Sequence, residues 1–323
     1  MVWLKRAAML VTALLFAGFA YQQWSEARDA KRYPPPGQLI AVGNHRLHLW
    51  CIGEGSPTVV MISGGGTPSV TLYPAQQRIA KVTRVCSYDR AGLGWSDAAS
   101  KPMNLTDLVV DLETLLALGK VEGPLVLAPE SFGGLIAASY WAQNPDRVAG
   151  VVMIDASEPE LFFRATPSLV PELERKGVLW QIGWRLGIIR AAIPFAAPNW
   201  IENWSPENKG QFFAIWSRPI AGYASDTVDV VKLTPKNQIP ATTANILGDK
   251  PLIILQHGKT DEWPLPPAFE AGWPGAQAKL AKLSSAGQLV IAKDNGHPIA
   301  EENPELVAAS VKAVVDTIRS DAK

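Results

Sequence analysis

Three side chains in this sequence carry the groups needed to make a nucleophile at neutral pH. Ser131 sits in "LAPESFGGLIAA", where an apolar tract runs into two glycines and then into a small-residue helical pattern. His297 follows Asn295-Gly296 in "KDNGHPIAEENP", a turn that presents an imidazole at a loop tip. Between them, "PLIILQHGKTDEW" brings Asp261 or Glu262 just after another apolar run. A serine hydroxyl attacks poorly until a base takes its proton. An imidazole can be that base, and a carboxylate holds its tautomer and stabilises the imidazolium. Each residue alone has a plainer role: serine caps helices, loop acids are solvated, and histidines are often structural. Of the four histidines, His45 and His48 fall in an N-terminal hairpin and His257 in or at the end of a strand. That leaves His297 as the candidate base.

The elements around these residues supply the remaining requirements. A serine between a buried strand and a helix demands a tight turn, which pushes the hydroxyl outward and needs small neighbours. Gly133 and Gly134 meet that need on one side, whereas Pro129 stands on the other. Proline has no N–H, so it fits only where the strand ladder has ended. The strand "TVVMIS" stops at Gly64-Gly65-Gly66. A glycine run lets backbone N–H groups approach a ligand, and together with the N–H of Phe132 it can bind a developing oxyanion. A phosphate loop is the rival meaning, but no G-x-G-x-x-G or GK[ST] follows and Pro68 would interrupt the helix.

Along the chain, short apolar strands alternate with amphipathic helices. "LIAV" and "LHLWCI" flank the turn "GNHR", and "RVCSYD", "PLVLA", "VAGVVMID", "PLIILQHG" and "QLVIA" are further strands. "NLTDLVVDLETLLALG" has helical spacing, with Asn104 or Thr106 as its cap and Gly119 at its end. Continuous apolar strands alternating with helices predict a mostly parallel sheet covered on both faces. The alternation breaks between Ala156 and Gly248, where strands vanish and prolines and aromatics crowd, Trp180 and Trp184 among them. Residues 156–248 are therefore expected to be a helical insertion, a cap or lid, in a core of residues 37–155 and 249–323. Residues 1–24 combine Lys5 and Arg6, an apolar run from Ala7 to Ala20, and Trp3 and Trp24. This fits an export signal or an N-terminal membrane anchor with interfacial aromatics, and an exported location. Residues 25–36 are polar and proline-stiffened, expected as a linker.

Composition narrows the classes further. The 323 residues are 47% hydrophobic with a net charge of +0, and no basic run marks a nucleic-acid surface. No metal-ligand cluster or cofactor fingerprint is present, so a small-molecule substrate is the expected partner. Oligomeric state is not encoded in any motif. Cys51 and Cys86 are the only cysteines. In an exported protein such a pair is a disulfide candidate; the other reading is two buried thiols.

With these residues assembled, the chain resembles the α/β-hydrolase superfamily, in its cap-bearing serine-hydrolase branch. The resemblance rests on "SGGG" at 63–66, "YDRAGLGWSD" at 88–97, "ESFGG" at 130–134, "HGKTD" at 257–261 and "NGH" at 295–297. It covers Gly37 to Arg319 outside the insertion, and the order serine, acid, histidine is that family's order. It implies an α/β fold with an eight-stranded, mostly parallel sheet and a helical cap inserted after strand 6. Ser131 would be the nucleophile, His297 the base and Asp261 the acid, with Asp155 at the end of "VVMID" as the alternative acid. Gly65 and Phe132 would supply the oxyanion N–H groups, and Trp180 and Trp184 would line the substrate pocket. Pro129 departs from the family's usual glycine, and Ser63 stands where members often carry histidine. Ser131 separates the chain from dehalogenases and epoxide hydrolases, which use an aspartate. The family's second and fourth strands are antiparallel neighbours, which implies a Cys51–Cys86 disulfide. The implied activity is hydrolysis of an ester, thioester or lactone of an apolar small molecule, without a cofactor. The same triad also serves C–C bond hydrolysis, amide hydrolysis and perhydrolysis, and the fold also occurs in non-catalytic binding proteins.

Overall fold

The computed structural model describes residues 1–259 and 265–321. A long N-terminal helix, α1 (Val2–Arg32), leads into the hairpin β1 (Gln38–Val42) and β2 (His45–Ile52). Alternation then begins: β3 (Thr58–Ile62), α2 (Tyr73–Ile79), β4 (Val85–Tyr88), α3 (Leu105–Leu118), β5 (Leu125–Pro129), α4 (Gly133–Gln143) and β6 (Val148–Ile154). Five helices follow without a strand: α5 (Pro159–Ala165), α6 (Val170–Arg185), α7 (Ile188–Ala196), α8 (Pro206–Trp216) and α9 (Ser225–Leu233). The chain returns to the sheet with β7 (Leu252–His257), α10 (Pro267–Glu270), α11 (Trp273–Ala281), β8 (Gly287–Ala292), α12 (Ile299–Glu302) and α13 (Pro304–Asp321).

The described strands form one eight-stranded sheet in the order β1-β2-β4-β3-β5-β6-β7-β8, parallel except for β2, which runs against both neighbours. The unbroken apolar runs in the central strands follow from helices on both faces. Successive residues of β3 point to opposite sides. Val60 and Ile62 pack with Leu112 of α3 and Leu135 of α4. Val59 and Met61 pack with Ile79 of α2 and Val311 of α13. All four β3 side chains are fully buried, and burial of this kind is worth about 1.5–3 kcal/mol per side chain. Helix α3 opens with a reciprocal cap: the Asn104 side chain accepts from the Asp107 N–H at 2.9 Å, and the Asp107 carboxylate accepts from the Asn104 N–H at 3.1 Å.

The parallel order puts the C-terminal ends of β3, β5, β6, β7 and β8 along one edge, and the five-helix insertion lies over it. The insertion has small apolar centres of its own, around Trp184 and Ile220 and around Ile201, Trp204 and Phe212. It joins the core through a hydrogen bond from the Gly222 N–H to the Gly92 carbonyl at 2.9 Å. A buried ion pair between Arg90 and Asp226 at 2.8 Å adds a second tie.

Residues 25–32, expected as linker, are the last turns of α1. The reason is tertiary. Gln22, Ser25 and Asp29 are buried against the insertion. Arg190 of α7 donates to Gln22 at 3.0 Å and to Asp29 at 2.5 Å, and the Gln22 amide donates to the Ser217 carbonyl at 2.6 Å. These polar residues have partners a sequence pattern does not reveal.

Cys51 of β2 stands opposite Cys86 of β4, and the two are joined in a disulfide. The bond ties the antiparallel margin of the sheet to its parallel centre and closes a loop with a sequence separation of 35. On the chain-entropy account such a loop stabilises by about 3–4 kcal/mol. The double variant Cys51→Ala/Cys86→Ala is expected to lose that much unfolding free energy in denaturant titration, and reduction of the wild type to lose a similar amount.

Candidate active site

Ser131 lies directly beyond β5 with φ of +46°, a left-handed conformation unusual for serine. Its neighbours fix it there. The Glu130 N–H donates to the Ile62 carbonyl at 2.9 Å and the Ser131 N–H to the Ile154 carbonyl at 3.2 Å, so both adjacent strands hold the turn. A Cβ on Gly133 would lie 2.4 Å from the Ile62 carbonyl oxygen, and one on Gly134 2.8 Å from that of Ser157. Larger residues at either position would force strand and helix apart. Contrary to the expectation from sequence, Pro129 does not lie past the ladder: it is the last residue of β5, paired with Ile62 of β3, and the Glu130 and Ser131 N–H groups still bond to the flanking strands.

The strained turn aims Ser131 at His297, which follows β8. The Ser131 Oγ to His297 Nε2 distance is 2.9 Å, and His297 Nδ1 lies 2.5 Å from Asp155 Oδ2. With the Nδ1 proton facing the carboxylate, Nε2 presents its lone pair to the serine hydroxyl. Asp155, weighed above as the alternative acid, is thus the carboxylate on His297. It follows β6 and also has a left-handed backbone, with φ of +44°. Asp261 lies outside the described residues.

Asp155 is fully buried and holds more than one histidine. Its Oδ2 also lies 2.6 Å from Nδ1 of His257, while Oδ1 accepts from the Trp273 indole at 2.8 Å and from the His257 backbone N–H at 3.1 Å. Burial opposes its ionisation, but the hydrogen bonds from His257 and His297 outweigh it and bring its pKa down to about 2. Burial likewise opposes protonation of His257, yet Asp155 and then Glu270 raise its pKa above the ordinary value. Asp155, His257 and His297 have ligand atoms within 4.8 Å of one another. The 2.5 and 2.6 Å spacings fit hydrogen bonds and are closer than the approach of two ligands around an ion held at about 2 Å from each.

The glycine run packs on the other side of the serine. A Cβ on Gly64 would lie 3.4 Å from the Ser131 Cβ, and one on Gly65 would lie 3.4 Å from the Phe132 Cβ. The Gly66 N–H is committed to Asp226, at 2.9 and 3.1 Å from its two oxygens. Arg90 braces this loop from behind. It donates to the Ser63 carbonyl at 2.8 Å, the Gly64 carbonyl at 2.5 Å and Asp226 at 2.8 Å, with its guanidinium 5.1 Å over the Phe132 ring. Ser63 donates its hydroxyl to the Thr67 carbonyl at 2.7 Å.

A cavity of about 410 Å³ opens above Ser131 and His297. Its walls are mostly apolar, formed by Ile189, Ile193, Trp180, Trp200, Phe212 and Tyr223. Trp180 is part of that wall. Trp184 is not: it is fully buried behind Trp180 and donates its indole N–H to the Trp216 carbonyl at 2.8 Å. Opposite the insertion, Glu130 and Glu301 form a buried carboxyl pair in the cavity wall. Burial first, and then the neighbouring Glu301, push the Glu130 pKa well up. Burial raises the Glu301 pKa as well. Burial and the mutual repulsion of two carboxylates both disfavour two charges in this pair.

His257, Arg90, Asp226 and the Glu130–Glu301 pair were not assigned to the site from sequence. Arg90 lies in the "YDRAGLGWSD" motif, which was legible only as a loop former. The linkage signs of Asp155 and His257 oppose each other. Asp155 has a lowered pKa, so its contribution is present above about pH 4 and lost as pH falls towards 2. His257 has a raised pKa, so its contribution is full below about pH 6.5 and lost as pH rises through its folded value. Thermal melts of His257→Gln are therefore expected to show a flatter fall in Tm above pH 6.5 than the wild type. Parallel curves would remove His257 from the proton linkage.

Comparisons with known proteins agree with this architecture. Residues 59–310 match the family described as the alpha/beta hydrolase family. Among curated proteins, the uncharacterised YbdG of Bacillus subtilis is 25% identical over 182 residues, 55% of this chain and 56% of that protein. The chain thus spans about half the length of that relative. YqjL of the same organism, also uncharacterised, is 22% identical over 80% of this chain and 83% of its own. Among solved structures, an enol-lactonase from Burkholderia xenovorans superposes with a TM-score of 0.61 at 18% identity, covering 86% of this chain and 100% of that one. A thermophilic esterase from Thermogutta terrifontis gives 0.59 at 20%, covering 87% and 97%. The two solved structures share the fold, and the chain belongs to the alpha/beta hydrolase family.

Proposed function

We propose that this protein is a serine hydrolase that cleaves an ester, thioester or lactone of an apolar small molecule through an acyl-enzyme on Ser131. The observation that carries the reading is the continuous path from Ser131 Oγ to His297 to Asp155, at 2.9 and 2.5 Å. His297 takes the serine proton through Nε2 as Oγ attacks the carbonyl carbon, and Asp155 stabilises the imidazolium. The resulting oxyanion lies towards the Phe132 and Gly65 N–H groups. His297 then gives its proton to the leaving alcohol or thiol. Water, activated by the same nitrogen, releases the acid and regenerates the serine.

The cavity supports the substrate class. Its apolar walls favour hydrocarbon, and the Glu130–Glu301 pair disfavours an anion beside the reacting carbon. The insertion of residues 156–248 serves as the lid. The disulfide fits an oxidising location outside the cytoplasm, and α1 supplies the export or anchoring segment. The nucleophile is serine where epoxide hydrolases of this fold carry aspartate, which favours acyl transfer.

A fluorophosphonate is expected to label wild-type protein at Ser131, as mapped by peptide mass. Ser131→Ala should abolish labelling, and His297→Ala and Asp155→Asn should slow it by about 10³–10⁴. A folded wild-type protein that resists the probe would end the serine-hydrolase reading. Against paired neutral and hemisuccinate esters, Glu301→Gln is expected to narrow the preference for the neutral one, measured as the ratio of kcat/KM values.

A further inference from the structure

Helix α1 divides into two parts. Residues 1–17 are exposed throughout, whereas the last half packs on the insertion through Gln22, Ser25 and Asp29. The exposed part, Val2 to Ala17, is about 24 Å long at 1.5 Å per residue, most of the ~30 Å hydrocarbon thickness of a bilayer. The helix is long and apolar enough to cross a membrane. It leaves the protein at one defined place. A Cβ on Gly18 would lie 2.5 Å from the Leu186 carbonyl oxygen, and one on Gly187 would lie 3.1 Å from that of Gly18. Leu186-Gly187 is the corner that joins α6 to α7.

The helices on either side of that corner present apolar surface to the outside. Val178, Leu179 and Ile182 of α6 are 61%, 55% and 50% exposed, and Ile188 and Phe195 of α7 are 56% and 92% exposed. The sequence of α7, "IIRAAIPFA", holds one charge, Arg190, and that residue is buried against Gln22 and Asp29 of α1. A surface helix with no charge turned to water is a poor fit to solvent and a good fit to lipid. Tyr21 and Trp24 of α1 are 48% and 60% exposed just past the corner, where aromatic side chains favour the headgroup layer. Ala192 and Ala196 of α7 are exposed and also line the cavity over Ser131, so the cavity reaches the surface along this helix.

We propose that the outer face of α6 and α7 rests on the bilayer that α1 enters, so that the cavity fills with substrate from the lipid phase. Two features of this chain lead to a bilayer as the occupant: the apolar helix leaves from the same corner, and the only charge of α7 is spent on that helix. The entry route rests on the hydrolase reading above, whereas the docking does not.

The test uses the full chain reconstituted in vesicles of phosphatidylcholine and phosphatidylglycerol. The two native cysteines are bonded to each other, so a single introduced cysteine takes an environment-sensitive fluorophore. Labels at Ile188→Cys, Phe195→Cys and Leu14→Cys are expected to shift to the blue and to be quenched by doxyl lipids. A label at Ser285→Cys, beside the N-terminal ends of the strands, should respond only to aqueous iodide. The docking is overturned if the Phe195 label meets iodide as freely as the Ser285 label, whether or not the Leu14 label lies in lipid. It is also overturned if the Phe195 label becomes shielded only at high protein-to-lipid ratio, which marks a second copy as the occupant. For entry, Ile188→Glu/Phe195→Glu should raise KM at least tenfold for a long-chain ester carried in vesicles and leave a water-soluble short ester unchanged. Equal KM values for both substrates would overturn entry from the lipid, and absence of activity in the wild type would instead refute the hydrolase reading.

Discussion

A buried carboxylate must be surrounded by donors or it will not stay ionised, and Asp155 is where this chain meets that constraint. Its two oxygens gather the His257 ring and backbone from β7, the Trp273 indole from α11 and the His297 ring from the loop after β8. Three segments distant in sequence thus close over the end of β6. The orientation of His297, and with it the lone pair directed at Ser131, depends on this junction. His257 takes a share of the same carboxylate, which spreads one negative charge over two imidazoles.

A second buried ion, Arg90, organises the opposite wall. Its guanidinium binds the carbonyls of the glycine loop and reaches across to Asp226 of the insertion. Asp226 in turn receives the Gly66 N–H. The loop that faces Ser131 is therefore held from the core and from the insertion at once. Backbone strain at Ser131 and Asp155 persists because the strands on either side fix both turns.

The insertion connects this site to the N-terminal helix. Arg190 lies on the helix that walls the cavity and spends its charge on α1, so helix, lid and cavity form one packed unit. The polar residues of α1 that look solvated in sequence are the ones that make this contact. Their burial extends the helix through a segment whose composition suggests a linker.

The alternation of strands and helices, the mostly parallel sheet and the candidacy of Ser131 and His297 were legible in the sequence, because each depends on local properties. Apolar runs report burial on both faces, and glycines after a strand report a tight turn. The Cys51–Cys86 pairing followed from the resemblance to the family, and the register of β2 on β4 accounts for it. The carboxylate that faces His297 was a different matter. Asp155 follows β6 and His257 is the last residue of β7, and those two strands are direct neighbours, whereas Asp261 lies outside the described residues. Sequence spacing cannot say which carboxylate an imidazole from a third segment will meet. The packing that brings Trp273 and His257 onto Asp155 decided that. The same limit hid Arg90, Asp226 and the Glu130–Glu301 pair, whose meaning comes from partners more than a hundred residues away, and it placed Trp184 in the core behind Trp180. Charge pairing at long range is a property of the folded chain, and no pattern of neighbours along the sequence encodes it.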